Sequence, residues 1–226
     1  MPVIRQTLSL AALCCLICSS QATPLLVKVE YNPDQDSLCS APPENPVKEE
    51  WTTELLARES EFVQLWEREG PRLLAATTAI SGKSFAPREI TAKLTLCNAS
   101  SESFPESSRI TINMRYALRS FTPTPVSLRY KVDTLFHELL HIFLFQHPIK
   151  HSPLLQQHGA EPERVRDHLH LLALQKAALL KLDAGDALRD VIAIDSSLPG
   201  GYYKRAWELV NATDDEYLKY VAELFK

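Results

Sequence analysis

The sequence predicts an α+β fold, with a small sheet early in the chain and helices late. Apolar residues alternate in three short runs before residue 117, and they recur at helical spacing over residues 47–79 and again from residue 127. Pro and Gly stand at the joins between these runs.

Residues 1–22 carry one positive charge, Arg5, then an apolar run over residues 8–17, then Ser20-Gln21-Ala22 in the small-x-small pattern of a cleavage site. They predict a signal peptide, which leaves residues 23–226 as a single domain that is secreted or periplasmic. The apolar run is too short to span a bilayer, and no later stretch reaches the roughly 18 to 20 apolar residues that a span needs. Of the five cysteines, Cys39 and Cys97 alone lie beyond the leader. An even pair in an oxidising compartment predicts a disulfide. It closes a loop of about 58 residues and stabilises by on the order of 4 kcal/mol in the chain-entropy treatment. A Cys/His metal site is the poorer reading, because neither cysteine has a second at C-x-x-C spacing.

Residues 25–31 alternate as a strand, and the Pro-rich residues 41–46 read as a connector after it. Trp51, Leu55, Phe62, Leu65, Trp66 and Leu73 keep helical spacing, and Gly70-Pro71 divides them into two successive helices. Residues 90–97 and 109–116 alternate as two further strands. Helical periodicity runs from about residue 127 to 146 and stops before Pro148. A second long helix is predicted from Glu161-Pro162 to about Leu182, with shorter helices near residues 186–193, 202–210 and 214–225.

A formal net charge of -4 and the lack of a Lys/Arg cluster give no field for a phosphate backbone, which excludes nucleic acid as a partner. The two Asn-x-Ser/Thr sequons, at Asn98 and Asn211, leave the source open.

His137-Glu138-Leu139-Leu140-His141 lies inside the predicted 127–146 helix. Residues four apart sit one above the other on a helix, so both imidazoles reach one zinc ion (Zn2+). Glu138 lies about 100° round the helix, placed to take a proton from water at an open coordination position. All seven histidines fall between His137 and His170, and Leu135, Phe136, Leu139, Leu140, Ile142 and Phe143 surround the motif. Two histidines and a glutamate in so apolar a helix are costly to bury unpaired, and a metal ion resolves all three. The competing reading is a set of core histidines satisfied by hydrogen bonds.

The HELLH segment resembles the active-site helix of zincin metallopeptidases. The order of strand 109–116, this helix and a second long helix is similar to the core of thermolysin-like gluzincins, over roughly residues 90–182. The resemblance implies a zincin-like fold, with a small mixed sheet packed on an active-site helix and a mainly helical C-terminal part. It also implies zinc-dependent peptide-bond hydrolysis with Glu138 as general base, a peptide or protein substrate aligned on strand 109–116, and a glutamate of the second helix as third metal ligand. Glu161 follows His141 after 19 intervening residues, a spacing that family uses.

The residues leave that third ligand open. Glu161 at a helix start is equally suited to the helix dipole. Glu163 has Asp167 one turn later, as a ligand followed by a bracing aspartate would. His158, or His168 or His170, gives a three-histidine site instead. Tyr202 and Tyr203, with Arg205 nearby, are candidate donors to the oxyanion of the attacked carbonyl. A monomer is expected. The alternative function is a non-catalytic exported module that binds zinc or a protein; an intact Glu138 weighs against it, because a structural site needs no base.

Overall fold

The protein is described here by a computed structural model that covers residues 25–40 and 46–225. The leader expected at residues 1–22 and most of the Pro-rich connector lie outside the described residues.

Four strands form one mixed sheet in the order β1-β2-β4-β3. β1 (Leu26–Tyr31), β2 (Glu89–Thr95) and β4 (Arg109–Asn113) run parallel, and β3 (Glu102–Phe104) pairs antiparallel to β4, with Ser103 opposite Ile110. Parallel neighbours need a long crossover. Two helices between β1 and β2 supply it, α1 (Pro33–Ser40) and α2 (Glu49–Ser81). Ile90, Ala92 and Leu94 of β2 and Ile110 and Ile112 of β4 are buried, so the alternation read from the sequence does turn one face to the core.

Two expectations change. Residues 47–79 do not split at Gly70-Pro71: α2 continues through Pro71. Packing outweighs the local break, since Trp51, Leu55, Phe62, Trp66 and Leu73 all lie in one core along this helix. The Trp66 ring occupies the space beside Gly70 that a side chain there would need. The strand predicted to reach Tyr116 ends at Asn113. The Asn113 side-chain oxygen accepts from the Arg115 amide at 2.9 Å, an Asx turn that diverts the chain into a 3-10 turn over Arg115–Ala117.

Helix α1 has no counterpart in the expected elements. Its signal is Asn32-Pro33: the Asn32 side chain accepts from the Asp34 amide at 2.9 Å, and Pro33 opens the helix. The Cys39–Cys97 disulfide is formed, with Cα atoms 5.8 Å apart, and ties α1 to the segment after β2. Both sulfurs are thereby removed from metal binding, although Asp36 lies beside them.

The later part is helical: α3 (Leu128–Gln146), α4 (Pro153–Gln157), α5 (Glu163–Lys181), α6 (Gly185–Ser197), α7 (Tyr202–Val210) and α8 (Glu216–Glu223). Ser127 caps α3 by accepting from the Tyr130 amide at 3.1 Å. Helix α3 packs on β3 and β4 on one side and on α2 and α5 on others. Helix α5 is the hub, touching α2, α3, α6, α7 and α8, and every residue from His168 to Leu179 is buried. Among the described residues no helix is long and apolar enough to cross a membrane.

Candidate metal centre

Helix α3 carries His137 and His141 one turn apart, facing α5, and α5 returns His168 to them. One ring nitrogen of each lies within 4.8 Å of the others, a grouping that could hold a metal ion. The rings form a near-equilateral set, with centroids 5.0 Å apart for His137 and His141, 5.1 Å for His141 and His168, and 5.4 Å for His137 and His168.

The outward nitrogens are held from behind. His137 Nδ1 lies 3.1 Å from Gln175 Oε1, and His168 Nδ1 donates to the Arg164 carbonyl at 2.6 Å. Such a bond fixes the ring, and with the proton on Nδ1 it leaves the Nε2 lone pair as the one that can bind a metal. Burial lowers the pKa of all three. For His137 the neighbouring imidazoles add to the effect, and His141 is pushed down to about 4. All three are therefore neutral at pH 7, the state that binds a metal.

Glu138 is buried, about 100° round α3 from His137, where hydrogen bonds from Ser103 of β3 reach it. Burial pushes its carboxyl up to about 8, the Ser103 hydrogen bonds opposing and the charge of Glu102 adding. His137, Glu138 and Tyr203 all line one cavity of about 850 Å³, bounded by α3, α5, α6 and the loop after β2. The Tyr203 hydroxyl lies 3.4 Å from His137 Nε2, and its ring stacks edge-on to His168 at 4.7 Å. Burial raises the Tyr203 pKa further above its usual value, so the phenol stays a proton donor.

Glu161 is not brought to the histidines. It precedes the first turn of α5, and its carboxylate accepts from Arg205, at 2.6 Å from Nη2. The crossing of α3 and α5 falls nearly two turns further on, at position 168, which is why family spacing misleads here. Glu163 is exposed at the first turn, and Asp167 is exposed as well, bracing no ligand. His158 Nε2 lies 3.0 Å from the Tyr220 hydroxyl. His170 stands two residues from His168, about 200° round the helix. It faces α8 instead, 2.8 Å from Glu223. Arg205 is engaged by Glu161 and Glu208, and Tyr202 packs between Tyr203 and the Arg164 guanidinium.

The edge expected to receive substrate also changes. Strand β3 covers β4, so among the described residues the sheet edge beside α3 is Glu102–Phe104 rather than residues 109–116. Three contributors were not foreseen from the sequence: Gln175, Ser103 and the Arg164 carbonyl. Gln175 had a signal, because it follows His168 by seven residues and so shares its face of α5.

The chain matches no family model, no curated protein and no solved structure.

Proposed function

We propose that the protein is an exported zinc-dependent peptidase in which His137, His141 and His168 hold the metal and Glu138 is the general base. The observation that carries this is the convergence of three neutral imidazoles, His137 and His168 buried and His141 partly so, with His137 opening on the cavity that Glu138 and Tyr203 also line. The donor set fits zinc: three nitrogen ligands, two of them with the far nitrogen braced, and a fourth position to be filled by water. Bound there, zinc would supply Lewis acidity toward a carbonyl and acidify a water.

The remaining work falls to the chain. Glu138 takes the proton of the attacking water and passes it to the leaving amine. Tyr203, its hydroxyl beside His137 Nε2, would donate its O–H to the carbonyl oxygen as that atom gains charge. An extended peptide would lie along the outer edge of β3, next to Glu138, whose own contact with Ser103 it would meet there. A purely structural zinc site favours four protein ligands and has no use for a buried glutamate at its mouth.

Elemental analysis of purified protein, of His141→Ala and of Glu138→Gln, paired with hydrolysis of a peptide library, tests the proposal. Near-stoichiometric zinc in the native protein, lost in His141→Ala, together with zinc kept and hydrolysis lost in Glu138→Gln, is the expected pattern. Failure of the native protein to take up zinc on reconstitution would sink it. Zinc without any hydrolysis would leave a binding module.

A further inference from the structure

The cavity that reaches Glu138 contains a second charged group on α3 that hydrolysis itself does not use. Lys131 is 6% exposed and lines the cavity, yet among the described residues its ammonium has neither a hydrogen bond nor an ion pair; its nearest aromatic contact is the Tyr130 ring at 5.8 Å. The other acids on this cavity are engaged. Asp133 is in ion-pair contact with Arg129 at 2.7 Å, and Asp195 accepts from the Tyr130 hydroxyl at 2.8 Å and from Trp207 Nε1 at 3.0 Å. Burial pushes the Lys131 ammonium down to about 8, with no neighbouring charge opposing it. Its stem is buried while the ammonium opens on the cavity with no protein counter-charge, so an anionic group entering the cavity would meet it at low local dielectric.

Its place relative to the chemistry follows from helix geometry. Lys131, Thr134 and Glu138 follow one another at i, i+3 and i+7 and share a face of α3. Lys131 therefore lies about 10 Å along the axis from Glu138. An extended peptide advances roughly 3.3 Å per residue, so that separation corresponds to about two or three residues of substrate.

Resting on the peptidase reading of the same site, we infer that Lys131 is the specificity residue of the cleft and binds a carboxylate of the substrate about two or three residues from the bond attacked. One buried ammonium matches one carboxylate, and a substrate lacking it leaves the charge unpaired, the arrangement that discriminates most strongly. The carboxylate comes from an Asp or Glu side chain or from the C-terminus of a short peptide.

Binding to the Glu138→Gln protein, measured by calorimetry, separates these. The probes are acetylated hexapeptide amides in which one Glu is walked along the sequence, each with a Gln twin, plus versions with a free C-terminal carboxylate. At the favoured position the carboxylate probe binds about tenfold or more tightly than its neutral twin, and the advantage disappears in Glu138→Gln/Lys131→Met. A gain with walked Glu assigns the side chain, and a gain with the free end assigns the C-terminus. Equal affinity for every charged and neutral twin overturns the inference without recourse to any Lys131 variant, and so does an advantage that survives Lys131→Met. Hydrolysis by the native protein with no carboxylate preference removes Lys131's role and leaves the peptidase standing. A Lys131-dependent preference in a protein that takes up no zinc does the reverse.

Discussion

Gln175 Oε1 stands 3.1 Å from His137 Nδ1, and both residues line the same cavity. Its side chain is 1% exposed and comes from the same helix face as His168, so α5 both contributes one histidine and orients another. Removing such a brace leaves the ligand in place but free to rotate. Gln175→Leu is predicted to weaken zinc affinity by about 10- to 100-fold. Competition against a chelating indicator measures this, and an unchanged affinity would show that His137 is oriented by packing alone.

His168 and Glu161 are the two rival third partners, and they lie in different surroundings. His168 is buried against His137 and His141, whereas Glu161 is bound to Arg205. His168→Ala is expected to lose metal stoichiometry, and Glu161→Ala to retain it. Elemental analysis of both proteins decides between them, and the opposite pattern would restore the gluzincin-type ligand.

Glu223 joins three elements: it accepts from the Ser152 hydroxyl, from His170 Nε2 and from the Leu154 amide. Burial pushes its carboxyl up, but the hydrogen bonds from Ser152, His170 and Leu154 outweigh this and hold it below the usual carboxylate range. A depressed folded-state pKa contributes stability that is present above the unfolded value, near 4.3, and is lost as pH falls through the folded one. Glu223→Gln is therefore predicted to cost about 1–3 kcal/mol at pH 7, with a gap to the native protein that narrows below roughly pH 4. Chemical denaturation at pH 7 and pH 3.5 checks both parts; a gap that does not depend on pH would deny the carboxylate its role.

Gly70 lies within α2 with the Trp66 ring 2.5 Å from where a Cβ would stand. Alanine favours helix by about 1 kcal/mol over glycine, but forcing the Trp66 ring out of a packed core costs about 1–3 kcal/mol. Trp66 is 4% exposed, so overpacking should win. Gly70→Ala is predicted to lower the denaturation midpoint, with a change in near-ultraviolet circular dichroism from the displaced indole. A raised midpoint would mean that the ring moves freely.

Much of the fold was legible because its signals are local. Ser127 before an apolar helical run and Pro148 after it bracket α3, and the bounds of α7 match the periodicity of residues 202–210. The illegible parts are those where a distant partner overrides the local preference. Gly70-Pro71 reads as a break until the core across α2 is known, and β3 has only three residues, too few to alternate visibly, and exists by pairing with β4.

The same division runs through the candidate site. That His137 and His141 share one helix face and that Glu138 adjoins them follow from sequence alone, because covalent spacing along a helix fixes angle and rise. The Cys39–Cys97 bridge was expected on the premise that residues 1–22 carry away the other three cysteines, and the structure forms it. Which of Glu161, Glu163, His158, His168 and His170 completes the cluster depends on where α5 crosses α3. That is a matter of side-chain packing between helices far apart in sequence, and it selects His168 while turning His170 toward α8. The isolation of Lys131 is likewise a tertiary fact, since a lysine in the sequence carries no mark of whether a carboxylate will be folded against it.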